Sequence, residues 1–138
     1  MNIDFIILAA GKGTRMGGDS PKVLASLAGK PMIQHLIDTV DSFQNSNTSI
    51  VVGYKANEVE RDLVSQKKLR FVKQKNQLGT AHAVKQALPN IRKNSVAVIL
   101  YGDVPLVKKN TLNRLIKSAS KGKLSLLTFI KDDPKGYG

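Results

Sequence analysis

The chain of 138 residues contains no cysteine, which excludes a disulfide framework and thiolate-based zinc or redox chemistry and suits a reducing cytoplasm. Tryptophan is missing too, and the aromatic set is three Tyr and four Phe, none of which alternates with basic residues as a nucleic-acid stacking platform would. No apolar run approaches the ~20 residues that span a bilayer, so no membrane association is expected. The opening Met1-Asn2-Ile3-Asp4 has no basic leader and does not read as a secretory signal. Acidic residues are scarce: 10 against 22 Lys and Arg leave a formal charge of +12. Such a field favours anionic partners, either nucleic acid or small phosphorylated molecules. The lysines stand mostly singly or in pairs (Lys67-Lys68, Lys108-Lys109, Lys121, Lys123), so the clustered basic helix of a nucleic-acid binder is lacking and no nucleic-acid partner is expected.

What is present is one domain's worth of chain with 41% apolar residues, enough to bury a core. Phe5-Ile6-Ile7-Leu8-Ala9-Ala10 is continuously apolar, as a strand buried on both faces of a parallel sheet should be. Similar short runs occur at 49–52, 70–72, 96–100 and 124–130. Between them lie helical patterns. Met32, Leu36, Val40 and Phe43 share one stripe, Val59 and Leu63 another, Ala83, Ala87 and Leu88 a third, and Leu112, Leu115, Ile116 and Ala119 a fourth. Pro31 sits at the first turn of the first helix, where its missing N–H is tolerated. Asn45 to Thr48 reads as a polar linker. Strands alternating with helices predict an α/β fold with a doubly wound, mostly parallel sheet.

The first strand runs into Gly11-Lys12-Gly13-Thr14-Arg15-Met16-Gly17-Gly18. A Walker A loop needs Ser or Thr after the lysine, where Gly13 stands, and the dinucleotide fingerprint needs a third glycine where Met16 stands. Both fail. A plain glycine turn is one reading; a phosphate cradle beyond the carboxyl end of a strand is the other. Arg15 and, seven residues on, Lys22 favour the cradle, because a triphosphate demands cations. Arginine offers a planar fork and lysine a movable point charge. Pro21 restricts the backbone that presents Lys22.

Leu8-Ala9-Ala10-Gly11-Lys12-Gly13-Thr14-Arg15-Met16 with Pro21-Lys22 resembles the signature of nucleotidyltransferases that join nucleoside triphosphates to sugar phosphates. Further matching segments are Ala28-Gly29-Lys30-Pro31-Met32, Gln74-Lys75-Asn76-Gln77-Leu78-Gly79-Thr80-Ala81-His82-Ala83, Leu100-Tyr101-Gly102-Asp103-Val104-Pro105-Leu106 and Asp133-Pro134-Lys135-Gly136-Tyr137-Gly138. Together they are similar to the uridylyltransferase part of a bifunctional bacterial family, N-acetylglucosamine-1-phosphate uridylyltransferase/glucosamine-1-phosphate acetyltransferase. The Gln74 to Thr80 segment points away from the cytidylyl- and guanylyltransferases that begin alike. A thymidylyltransferase for glucose-1-phosphate is the nearest rival.

The resemblance implies a Rossmann-like nucleotidyltransferase topology and transfer of a uridylyl group. UTP and N-acetylglucosamine-1-phosphate give UDP-N-acetylglucosamine and pyrophosphate, for cell-wall and lipopolysaccharide precursors. It implies a nucleotide cradle from Leu8, Ala9, Ala10 and Gly11, catalytic phosphate contacts from Arg15 and Lys22, and a uracil edge read by Gln74. Gly79 and Thr80 lie beside the base, Tyr101 and Gly102 beside Asp103, and Gly138 near the sugar nucleotide. Asp103, at the end of the fourth strand of this reading, is the expected Mg²⁺ ligand, a hard oxygen for a hard cation. His35 and His82 are expected to be structural. The resemblance also implies that residues 1–138 form the first part of the pyrophosphorylase domain. In that family the rest of the domain, which supplies a second metal ligand and the sugar contacts, follows, with a β-helix domain that carries acetyl transfer and drives trimerisation. Weak UTP binding with little or no turnover is therefore expected of these residues alone.

Overall fold

The computed structural model describes residues 1–13, 19–133 and 135. β1 (Asn2–Ala9) lies at the centre of a four-stranded, wholly parallel sheet. Its neighbours are β4 (Ser46–Val52) and β6 (Ser95–Tyr101), and β5 (Leu69–Lys73) lies outside β4, giving the order β5-β4-β1-β6. Ile7 faces Ile50 on one side and Leu100 on the other. A strand flanked on both edges and covered on both faces is expected to be largely apolar, and Phe5, Ile6 and Ile7 are all 0% exposed.

The two-residue period of β1 divides the core. Phe5, Ile7 and Ala9 pack with α1 (Met32–Asp41), α2 (Ala56–Asp62) and α4 (Lys109–Ala119), whereas Ile6 and Ala10 pack with α3 (Thr80–Ala87) on the opposite face. The sheet thus carries helices on both faces, although on the α3 side β6 leaves Ala97, Ile99 and Tyr101 exposed, and the doubly wound α/β expectation holds. In α1 the buried stripe is Ile33, Leu36, Ile37 and Val40, at i, i+3, i+4 and i+7. Phe43 is buried just beyond it, and Met32 is only half-buried. Among the described residues no helix is long and apolar enough to cross a membrane.

Two expectations about elements fail. The polar stretch Asn45 to Thr48 is not a linker, because β4 starts at Ser46 and buries Thr48 and Ser49 between β1 and β5. Only Asn45, at φ 53°, makes the turn. Residues 124–130 form no strand. Leu124, Leu126, Leu127, Phe129 and Ile130 are exposed. A strand exists only as part of a ladder, and the sheet of the described residues is made of β5, β4, β1 and β6. The sequence reading also missed a small antiparallel pair, β2 (Ser26–Leu27) with β3 (Lys30–Pro31). Its turn takes Ala28 and Gly29 to positive φ, and His35 Nε2 lies 2.7 Å from the Leu27 carbonyl, pinning the pair to α1.

One buried charge stitches the amino end of the sheet. Asp4, 2% exposed on β1, accepts from the Arg92 backbone N–H and Nε, each at 2.9 Å, while Arg92 Nη2 donates to the Ile3 carbonyl at 2.7 Å. Burial pushes the Asp4 carboxyl upward, but the Ser95 hydroxyl, the Arg92 N–H and the Arg92 guanidinium together hold it below its usual 3.8. A carboxylate depressed in the folded state stabilises above its unfolded value, and that stabilisation is lost as the pH falls through the folded one. Urea midpoints measured from pH 6 down to pH 3 should therefore drop more steeply below about pH 4 for the native chain than for Asp4→Asn. At neutral pH that substitution should cost about 1–3 kcal/mol. A parallel acid limb in the two proteins would count against this assignment.

Candidate active site

In an open parallel sheet, ligands sit beyond the carboxyl ends of the strands where the winding reverses. Here the reversal lies at β1, whose successor β4 is on one side and β6 on the other. A cavity of about 500 Å³ opens at that place, of a size that takes a small-molecule ligand. Leu8, Ala9, Ala10 and Gly11 form its floor as β1 ends, and Tyr101 and Asp103 its wall as β6 ends. The floor is held from below, with the Gly102 N–H donating to the Leu8 carbonyl at 2.9 Å.

Lys22 enters from a short 3-10 turn, Lys22–Leu24, that follows Pro21. Val23, 5% exposed, anchors that turn in the core. Gly13, at φ +67°, lets the loop pass so close that a Cβ there would lie 2.4 Å from Lys22 Cβ. Only glycine is free of both the steric clash and the left-handed backbone penalty. Lys22 Nζ then meets Asp103 Oδ2 at 2.7 Å, with both side chains about one-third exposed. The ammonium thus occupies one oxygen of the carboxylate expected to carry a metal. No group of three or more His, Cys, Asp or Glu able to hold a metal occurs among the described residues. Asp103 alone fits Mg²⁺ as one hard-oxygen ligand, and Mg²⁺ ordinarily completes its shell with phosphates and water.

The far side is built by the end of β5 and the start of α3. Gln74, 5% exposed, is fixed by its backbone N–H to Val52 O at 2.8 Å. Its Nε2 donates to the Gly79 carbonyl at 3.3 Å and lies 2.9 Å from His82 Nδ1. Gly79 has φ 95° and ψ 179°, a region closed to other residues, and its turn sets Thr80, the first residue of α3, in the cavity lining. Helix N-termini favour anions.

Ten of the expected residues therefore line one cavity: Leu8, Ala9, Ala10, Gly11, Lys22, Gln74, Gly79, Thr80, Tyr101 and Asp103. Gly102 is buried behind the wall and does not line it. Arg15 and Gly138 lie outside the described residues. The sequence reading missed Gln77, which lines the cavity and donates from Nε2 to the Ala10 carbonyl at 2.7 Å. Its signal was its place three residues after Gln74 in the same matched segment. Gly13, Val23 and Ala83 also line it; Val23 and Ala83 carry no polar group to betray them. Beside the cavity, Lys12 and Lys55 stand 5.2 and 5.7 Å from the centre of the Tyr54 ring. The Tyr54 hydroxyl donates to Asp19 Oδ1 at 2.9 Å, and hydrogen bonds from Lys55 and Tyr54 hold the Asp19 carboxyl below its usual range.

The pattern of the MobA-like NTP transferase domain family matches residues 5–135. Proteins named bifunctional protein GlmU are similar along the whole chain. That of Francisella philomiragia subsp. philomiragia is 50% identical over 138 residues, covering 100% of this chain, and that of Cellvibrio japonicus is 46% identical over 136 residues, covering 99%. The chain spans about 30% of the length of these relatives. Among solved structures, HddC from Yersinia pseudotuberculosis complexed with GMP-PN has a TM-score of 0.65 at 29% identity, covering 84% of this chain and 53% of that one. Rv0371c from Mycobacterium tuberculosis, in complex with manganese, has a TM-score of 0.68 at 21% identity, covering 88% and 61%.

Proposed function

Because the chain belongs to the MobA-like NTP transferase domain family, we propose that its cavity is the nucleotide half of a uridylyltransferase site. The reaction is the formation of UDP-N-acetylglucosamine and pyrophosphate from UTP and N-acetylglucosamine-1-phosphate. The observation that carries this reading is the convergence of Lys22, Asp103 and buried Gln74 on one cavity at the carboxyl ends of the strands. Identity of 44–50% to proteins named bifunctional protein GlmU supports the choice of nucleotide and sugar.

An oxygen of the sugar 1-phosphate attacks the α-phosphorus of UTP, the bond from that phosphorus to the α–β bridging oxygen breaks, and pyrophosphate leaves. No covalent enzyme intermediate is required, so catalysis is the alignment of two polyanions and the neutralisation of their charge. The Leu8–Gly11 backbone and the start of α3 border the phosphates, Lys22 balances them, and Gln74 meets the base. Arg15, by its place in the loop, adds a second cation. Asp103 would hold Mg²⁺, which supplies Lewis-acid neutralisation of phosphate charge when bound.

A thermal melt of this chain with Mg²⁺ and UTP, dTTP, CTP, ATP or GTP tests the reading. UTP at ~100 times its dissociation constant adds about 2.7 kcal/mol to the folded state, which raises the midpoint by roughly 6–12 °C in a domain of this size. UTP should give the largest shift. A cooperative melt indifferent to every nucleotide would overturn the site assignment, and an equal or larger shift with dTTP would overturn the choice of base.

A further inference from the structure

A carboxamide does not by itself choose a base. Turned one way it accepts a hydrogen bond, turned the other it donates, so a free glutamine greets uracil and cytosine alike. At Gln74 the choice is made by its neighbours. The Gly79 carbonyl, 3.3 Å from Nε2, can only accept, so the amide must present its NH₂ on that side. The second hydrogen of the same NH₂ points to His82 Nδ1 at 2.9 Å, which takes it only if Nδ1 is unprotonated and the ring proton sits on Nε2. Half-buried Gln86, whose amide lies 3.2 Å from His82 Nε2, then turns its oxygen to that N–H. The turn costs Gln86 its 3.4 Å bond to the His82 carbonyl, a loss that water makes good at a half-buried side chain, whereas Gln74, 5% exposed, is shielded from water and keeps its bond to Gly79.

Both hydrogens of Gln74 are therefore committed inside the protein, which leaves Oε1 as the atom it can offer to the cavity it lines. We propose that His82 is a specificity-positioning residue: by holding the Gln74 amide, it makes this part of the cavity accept only, which selects a base with an N–H at ring position three. Uracil and thymine have that donor, while cytosine presents an acceptor there. The proposal rests on the nucleotidyl-transfer reading and deepens it. It also gives α3 a second task, since its first turn borders the phosphates while its third residue sets the base.

Affinities of the Mg²⁺ complexes of UTP, CTP and 3-methyl-UTP for the native chain and for His82→Leu provide the test. The native chain should favour UTP over both others. In His82→Leu the ratio of UTP to CTP affinity should fall about 5–10-fold, the worth of one hydrogen bond, and the unliganded melting midpoint should fall as well, because a hydrogen of buried Gln74 loses its acceptor. A merely structural role for His82 would weaken both nucleotides equally, and an unchanged ratio overturns the proposal. Nitrogen-15 shifts of the His82 ring in the native chain give a second test that no variant can confuse, since they must place the proton on Nε2, and a proton on Nδ1 overturns it. If no nucleotide binds the native chain at all, the nucleotidyl-transfer reading fails instead, which is a distinguishable result.

Discussion

Lys22→Ala should weaken binding of Mg²⁺–UTP about 10- to 100-fold while leaving the unliganded protein nearly as stable as before. The two halves of this expectation have different physics. In the unliganded chain Lys22 pairs with Asp103 at 2.7 Å, but both side chains are about one-third exposed, and such pairs are worth about 0–1 kcal/mol. Against a triphosphate the same ammonium makes a charge-assisted hydrogen bond of about 1.5–3 kcal/mol, and every 1.4 kcal/mol is tenfold in affinity. The geometry adds to the effect, because the buried Val23 next door and the close passage of Gly13 hold the lysine stem in one approach. Titration calorimetry on the variant, with a melt on the same sample, reads both quantities. Unchanged affinity would remove Lys22 from the phosphate site.

Phe5→Ala should cost about 3–5 kcal/mol, a large part of the 5–15 kcal/mol that holds an ordinary domain together. Phe5 is 0% exposed at the centre of the sheet, and its ring meets the edge of Phe43 with centroids 5.3 Å apart. The space it leaves lies among the buried side chains of the main core, Phe43 included, which relax into it only in part. Ile130, by contrast, is 100% exposed, so Ile130→Ala should stay within about 0.5 kcal/mol although it deletes as apolar a side chain. Urea midpoints of the two variants make the comparison. A large cost at Ile130 would mean that residues 124–130 carry part of the fold after all.

That contrast marks how far the sequence could be read. Phe5-Ile6-Ile7 announces a strand buried on both faces because apolar residues fill both halves of its period. The helices were legible too, but their stripes only in part: Leu88 is exposed, and the first stripe left out the buried Ile33 and Ile37. Leu124 to Ile130 shows a similar apolar density, yet hydrophobicity reports only what a segment can bury, not whether a partner strand is there. Ser46 to Thr48 errs the other way: polar residues enter a strand when both neighbouring strands satisfy their backbone. Of the cavity residues, the glycine loop and Lys22 were legible because close backbone approach and charge leave marks in the chain, whereas Gln74, Gly79, Thr80, Tyr101 and Asp103 were expected only through the family resemblance. The partners that hold them in place were not. Asp4 and Arg92 are 88 residues apart, and Lys22 and Asp103 are 81 apart. The Gln74–His82 pairing, although only eight residues long, depends on the turn at Gly79, and no periodicity foretells it.

The central position of β1 also bears on how the chain acquires its structure. Asn2 pairs with Ser95 and Leu8 with Tyr101, so the most apolar strand obtains its second neighbour only after some ninety further residues have been made. At ribosomal speeds of about 5–20 residues per second, that interval is roughly 5–20 s. Throughout it one edge of β1 offers unsatisfied backbone groups to any other extended chain. The same arrangement that seals the finished core makes its assembly non-local and hence slow. The nascent chain keeps this edge of β1 open until β6 emerges, and β6 is also the strand that brings Asp103 to the cavity.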